Sequence, residues 1–169
     1  NWDSIGIAVG NNNGDYAVEG GKSVRLTGCL TEMCALKQTV ENISVRNGQG
    51  LILSGFAKAD SALPSISELK DPEIADDCKS TFRLCAKSTY TDGTTEIFEA
   101  PFDHLQSNWQ FTAVGIQLNK DKNLKKIDVY VDYSYNNGVV YFDDINLSCG
   151  DIIYTKGKPR FYTKKDNAT

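Results

Sequence analysis

The stretch IDVYVDYSYNNGVVYFDDINL, residues 127–147, carries the strongest secondary-structure pattern in this chain. From position 127 to 133, branched and aromatic residues alternate with polar ones, which is typical of a strand with one buried face. Asn136, Asn137 and Gly138 tolerate the backbone angles of a tight turn, and apolar residues resume at Val139. The stretch therefore predicts a β-hairpin.

The return strand of this predicted hairpin places a charge among core residues. Asp143 has the same parity as Ile145 and Leu147, so its carboxylate is expected to point inward with them. An unpaired carboxylate in a core is very costly. We therefore expect another group to neutralise Asp143, and backbone N–H groups or a lysine or arginine can do so.

The rest of the chain indicates an all-β fold. Apolar residues alternate with others at 51–58 and 82–87, and Thr91-Asp92-Gly93-Thr94 is a good hairpin turn. About nine or ten short strands with frequent turns, and no convincing amphipathic helix, predict an antiparallel β-sandwich or jelly roll. We assign residues 1–155 to this domain, with a loop insertion at 61–79, and the basic residues 156–169 to a tail or linker.

Composition narrows the possible partners. The 22 acidic and 18 basic residues give a formal charge of −4 without long like-charged blocks, which argues against a nucleic-acid partner. No apolar run approaches the ~20 residues of a membrane span, so no membrane insertion is expected. The chain starts at Asn1 without an initiator Met, so we expect a piece of a larger parent chain whose other domains are partners.

The five cysteines do not form a zinc-binding pattern. Bridges Cys29–Cys34 or Cys78–Cys85 are possible in a secreted protein, and buried thiols are the alternative.

The sequence also shows no recognisable arrangement of catalytic residues. Glu96 and Glu99 have opposite parity on one predicted strand, so they cannot form a facing pair of carboxylates. His104 lies in a polar loop without an evident nucleophile, and no phosphate-binding loop is present. We therefore expect that the protein is not an enzyme.

The order of motifs resembles a known family, the jelly-roll carbohydrate-binding modules of bacterial xylanases and glucanases and of large Gram-positive cell-surface proteins. Five pieces carry the resemblance: EGGKSVRL (19–26), QTV (38–40), LILSGFAKA (51–59), WQ (109–110) and YFDDINL (141–147). It implies a galactose-binding-domain-like jelly roll. It also implies an extracellular or bacterial cell-surface location and a non-catalytic role in targeting the parent protein to a polysaccharide or glycan.

The resemblance also implies a structural calcium ion at the edge of the sandwich. Members of the family commonly hold it with an early Glu, a main-chain carbonyl three residues later, and the Asp of the final strand. In this sequence those ligands are Glu19, the carbonyl of Lys22, and Asp143, with Asp144 as a substitute if the strand register slips by one residue.

Finally, the resemblance implies a sugar-binding concave sheet on which aromatic rings stack on pyranose faces and polar groups pair with hydroxyls. The alternation of the strands would present seven residues there: Phe56, Lys58, Arg83, Lys87, Asp128, Tyr130 and Asp132. The alternative is a structural or adhesive spacer domain of a bacterial surface protein, with the same fold and no sugar site.

Overall fold

The computed structural model describes residues 2–6, 9–11, 18, 21–43, 45, 50–60, 80–155 and 158–162. Within these ranges the chain forms strands and no helix, and hence no helix suited to crossing a membrane. The strands are β1 (Asp3–Gly6), β2 (Val9–Asn11), β3 (Val24–Thr27), β4 (Cys34–Glu41), β5 (Gly50–Ala59), β6 (Arg83–Tyr90), β7 (Thr95–Pro101), β8 (Gln110–Ile116), β9 (Leu124–Asp132), β10 (Val139–Thr155) and β11 (Lys158–Tyr162).

Two antiparallel sheets pack face to face. The five-stranded sheet has the order β1-β4-β9-β6-β7, and the six-stranded sheet has the order β2-β3-β10-β5-β8 with β11 paired to β10. Apolar residues on alternate positions of both sheets fill the space between them. This confirms the predicted all-β antiparallel sandwich.

The hairpin predicted for residues 127–147 is wrong, because β9 and β10 belong to different sheets. The loop between them is fastened to the connection between β3 and β4. The backbone N–H groups of Tyr133 and Tyr135 donate to the carbonyls of Cys34 and Glu32 at 2.9 and 3.0 Å. Tyr133 is fully buried, and its hydroxyl donates to the carbonyl of Asn137. The loop therefore crosses from one sheet to the other instead of folding back.

A β-bulge corrects the expectation that Asp143 points into the core. Asp143 pairs with Phe56 and Asn146 with Ser54, so β10 uses one residue more than β5 over this step. Asp144, at the bulge, has a φ of 49°. The extra residue shifts the parity, so Asp143 shares the outer face with Phe56 while Leu147 returns to the core side.

The core combines aliphatic residues with a ring cluster. Phe82 contacts the rings of Phe102, Tyr133, Phe142 and His104 at centroid distances of 5.1 to 5.7 Å. Fully buried aliphatic side chains belong to the same core, among them Leu26, Leu51, Leu53, Leu84, Ile116, Ile127, Val131 and Val140.

The turn at residues 91–94 is confirmed as the hairpin between β6 and β7. Gly93 has a φ of 85°, and Asp92 Oδ1 accepts the N–H of Thr94 at 2.9 Å. The range 156–169, which we predicted to be a tail or linker, includes the strand β11 at Lys158–Tyr162. The insertion at 61–79 lies outside the described residues.

The structure also decides one alternative left open for the cysteines. Cys29, Cys34, Cys85 and Cys149 carry thiols, so the Cys29–Cys34 bridge is not formed. Cys78 lies outside the described residues.

Candidate functional site

Five of the seven predicted sugar-binding residues lie together on the outer face of the five-stranded sheet. Their positions follow from strand parity, because Leu84, Ala86, Val129 and Val131 occupy the core side of β6 and β9. Across the two strands, three directly opposed pairs result: Arg83 with Asp132, Cys85 with Tyr130, and Lys87 with Asp128.

The two flanking strands extend this surface, which we call the polar face. Lys37 and Thr39 of β4 lie opposite Tyr130 and Asp128, and Glu99 of β7 lies opposite Cys85. We define the polar face by the residues Lys37, Thr39, Arg83, Cys85, Lys87, Glu99, Asp128, Tyr130 and Asp132; the exposed Ile97, opposite Lys87, lies at its border. The sequence prediction missed Lys37, Thr39 and Glu99, although their alternation with the buried Leu36 and Ala100 was a usable signal.

Asp132 is held in one geometry by three donors. Arg83 Nε donates to Oδ2 at 2.9 Å, while the hydroxyls of Thr81 and Ser134 donate to Oδ1 at 2.8 and 2.6 Å. Arg83 also pairs with Glu99 through Nη1. Asp132 is 6% exposed, so its carboxylate mainly fixes the guanidinium and the start of the sheet-crossing loop.

Asp128 is a second nearly buried carboxylate on the polar face. Thr39 Oγ1 donates to Oδ1 at 2.6 Å, and Lys126 Nζ lies 2.8 Å from Oδ2. Burial acts to raise the pKa of Asp128, but the bonds from Lys126 and Thr39 outweigh it and leave the pKa below its ordinary value. The carboxylate is therefore ionised at neutral pH and accepts hydrogen bonds.

The centre of the polar face is occupied by the half-buried ring of Tyr130 and the thiol of Cys85. Burial, with the nearby Asp128 charge, raises the pKa of Tyr130, and burial raises the pKa of Cys85 to about 11. Both groups are consequently neutral at physiological pH. The thiol is a poor nucleophile there, since thiolate is the reactive form. The arrangement suits hydrogen bonding and ring stacking.

Phe56 and Lys58 are not part of this surface, which corrects the prediction that all seven residues share one sheet. They lie on β5, where Gly55 and Ala57 take the core side, so they project from the outer face of the six-stranded sheet. That surface, which we call the aromatic face, contains Phe56, Lys58, Trp109, Phe111 and Tyr141. The two faces are on opposite sides of the sandwich.

Two of the predicted calcium ligands lie at one cavity near the bulge. Lys22 and Asp143 both line it, together with Trp2, Gln38 and Asp144, and its volume is about 500 Å³. Asp143 Oδ2 accepts the N–H of Val18 at 2.6 Å. Glu19 lies outside the described residues, and within the part of the chain that the structure describes no three His, Cys, Asp or Glu side chains cluster as metal ligands.

Comparison with known proteins shows relatives by sequence. No protein-family model matches the chain. It is similar to the tRNA nuclease WapA of Bacillus subtilis strain 168, with 30% identity in an alignment of 160 positions that covers 90% of this chain. The tRNA(Glu)-specific nuclease WapA of Bacillus subtilis subsp. natto is 29% identical over 160 residues. The chain spans 6% of the length of these relatives.

These relatives overturn the prediction that the protein is not an enzyme, since proteins that match 90% of the chain are named as nucleases. Their names also conflict in part with the expectation of no nucleic-acid partner.

The fold of this chain is similar to that of several solved structures. The xylan-binding domain CBM22-1 of Paenibacillus barcinonensis has a TM-score of 0.57 at 11% identity, covering 88% of this chain and 85% of its own. The C-terminal family 22 carbohydrate-binding module of a Clostridium thermocellum xylanase reaches 0.56 at 12% identity, with 90% and 88% coverage. A family 16 carbohydrate-binding module reaches 0.51 at 16% identity, with 82% and 84% coverage. The chain is a jelly-roll β-sandwich with the fold of carbohydrate-binding modules.

Proposed function

We propose that this chain binds a carbohydrate on its polar face, as one segment of a longer protein. The observation that carries the proposal is the half-buried ring of Tyr130 on the central strand, with Lys37 and Glu99 in its row and Asp128 and Lys87 in the next. A pyranose offers apolar faces that stack on an aromatic ring and hydroxyls that bond to such charged groups.

The fold supports the same ligand class, because structural neighbours of the chain include a domain described as xylan-binding. We propose a polysaccharide or cell-surface glycan as the ligand, and an extracellular or bacterial cell-surface location, where such polymers are found.

Affinity electrophoresis and calorimetry on xylan, β-glucan and bacterial cell-wall glycan test this proposal. Tyr130→Ala is expected to weaken binding roughly tenfold, since it removes the ring. Tyr130→Phe keeps the ring and retains most of the affinity. Met33→Ala is a control, because Met33 is exposed and lies between β3 and β4, outside both faces. Absence of binding to every glycan would instead favour a spacer domain without a sugar site.

We further propose that the longer protein is a nuclease that acts on tRNA, as its relatives are named. Incubation of the full-length protein with labelled tRNA tests this, with the chain of 169 residues alone tested in parallel. Intact tRNA after incubation with the full-length protein would contradict the proposal. Cleavage by the isolated chain would place the activity in this segment.

We also propose a calcium ion held by Asp143, the carbonyl of Lys22, and Glu19. Carboxylate and carbonyl oxygens are the donors that Ca²⁺ prefers, and Asp143 and Lys22 line one cavity. The ion would tie the bulge of β10 to the segment that precedes β3.

A further inference from the structure

The aromatic face carries a ring that is exposed although it lies within a strand. Phe111 of β8 is 60% exposed. Phe56 of the neighbouring strand lies directly opposite it, with ring centroids 5.1 Å apart and planes tilted by 56°. Phe56 therefore supports one side of the Phe111 ring while the remainder meets solvent. A contiguous apolar patch, unlike a single exposed ring, marks a candidate interaction site, and Phe111 is contiguous with Phe56.

A second aromatic residue, Trp109, lies two positions before Phe111 on the same face. Trp109 immediately precedes β8 and has the same parity as Phe111, so in an extended backbone their Cα atoms are about 7 Å apart and both side chains project from the same face. Lys58 Nζ lies 5.7 Å from the Trp109 ring and 5.6 Å from the Tyr141 ring. These cation–π contacts favour the present position of the Trp109 ring.

The chain next to Trp109 is fixed as well. The amide of Gln110 makes two bonds to the backbone of Asp103: Oε1 accepts its N–H, and Nε2 donates to its carbonyl, both at 2.7 Å. This clamp joins the loop between β7 and β8 to the start of β8. Rings that are ordered in the unbound state lose little entropy when a ligand stacks on them.

We propose that Trp109 and Phe111 form a second carbohydrate-binding platform, which stacks a neutral polysaccharide on the side of the sandwich opposite the polar face. This inference rests on the proposed function in that the ligand class is the same, but its residues are separate. A chain with a sugar site on each side is bivalent, so it cross-links polysaccharide strands and gains avidity on an insoluble polymer.

The charges on the aromatic face favour a neutral polymer over RNA. Arg25 and Lys58 lie beside Tyr141 on the adjacent strands, whereas Asp143 lies beside Phe56. A surface of mixed sign attracts a phosphate backbone weakly, because such binding depends on several cations acting together. The ring pair therefore fits pyranose faces better than a polyanion.

Cross-linking of a soluble xylan or β-glucan tests the platform. Turbidity reports cross-linking, and affinity electrophoresis reports binding, for the unaltered chain, Phe111→Ala, Tyr130→Ala and the double variant. We expect each single variant to lose cross-linking and to bind up to roughly tenfold more weakly, because one face still binds, and the double variant to bind more weakly than either single variant. Phe111→Leu, which keeps apolar area without a ring, should behave as Phe111→Ala does. Met33→Ala should behave as the unaltered chain does.

The outcomes separate the two proposals. Phe111 is exposed, so its variants are expected to keep the melting temperature. If Phe111→Ala matches Met33→Ala in both assays while Tyr130→Ala removes all binding, the platform is refuted and the proposed function stands. If Phe111→Ala removes all binding and Tyr130→Ala removes none, the polar face is refuted and the platform stands. A third outcome is that the unaltered chain binds tRNA and no glycan, and that Phe111→Ala loses the tRNA binding. That outcome would show that the aromatic face binds RNA.

Discussion

Asp143 and Phe56 lie directly opposite each other on β10 and β5, and both project from the outer face of the six-stranded sheet. The bulge immediately after Asp143 produces this relationship. The Asp143 carboxylate accepts the N–H of Val18 at 2.6 Å, and Ile145, after the bulge, lies against the core side of β5. The charge that alternation assigns to the core therefore lies on the outer face of the six-stranded sheet.

The packing of the bulge predicts that Gly55→Ala is destabilising. A Cβ at Gly55 would stand 2.5 Å from Ile145 Cδ1 and 3.3 Å from Leu84 Cδ1. We expect a loss of about 1–3 kcal/mol in the free energy of unfolding, measured by urea denaturation. Ile145→Val removes the obstructing methyl group. In the double variant the two effects should be less than additive, and strict additivity would contradict this account.

The hydrogen bonds of Asp132 predict a structural role for it. Asp132→Ala leaves Arg83, Thr81 and Ser134 without their shared acceptor. We expect a loss of about 1–3 kcal/mol in the free energy of unfolding. Asp121→Ala, at an exposed position, is the matched control and should change stability by less than about 0.5 kcal/mol. Equal effects of the two substitutions would refute the role of the network.

The buried environment of His104 predicts that the free energy of unfolding decreases in mild acid. Its ring packs against Phe82 and Tyr133, and Nε2 has no hydrogen-bond partner in the described part of the chain. Burial lowers the pKa of His104 below its ordinary value of 6.5, while Asn136 and Asp103 act in the opposite direction. Below pH 6.5 the unfolded chain therefore takes up a proton more readily than the folded chain, and stability falls with falling pH.

Melting temperatures at about pH 7.5 and about pH 5.5 measure this effect. His104→Phe keeps a ring in the cluster and removes the titrating group, so its melting temperature should fall less on acidification than that of the unaltered chain. An equal fall in both proteins would show that His104 is not the group responsible.

The proposed calcium ion predicts a stability that depends on metal. Added Ca²⁺ should raise the melting temperature of the unaltered chain, and a chelator should lower it, because an ion that binds the folded state shifts unfolding by mass action. Asp143→Ala should abolish both responses. Asp121→Ala, with its exposed side chain, should retain them. A melting temperature that is indifferent to Ca²⁺ and chelator would count against the ion.

The sequence by itself determined the β class of the fold and, in regularly alternating strands such as β9, which side is apolar. Ile127, Val129 and Val131 alternate with Asp128, Tyr130 and Asp132, and the structure places the first three in the core. The alternation of apolar and polar residues is a local property of an extended chain. It was therefore sufficient to predict the β-sandwich and to predict that five polar-face residues share one surface.

Tertiary structure alone decided which strands pair and where parity changes. The sequence between β9 and β10 resembles a turn. Backbone hydrogen bonds from Tyr133 and Tyr135 to Cys34 and Glu32 nevertheless hold this segment, and the chain continues into the other sheet. A bulge reverses the relation between odd or even sequence position and sheet face from one of its sides to the other. The sequence of residues 139–147 contains no pattern that predicts the bulge. Phe56 and Arg83 therefore look equivalent by alternation and lie on opposite sides of the molecule, because contacts distant in sequence determine the sheet to which each strand belongs.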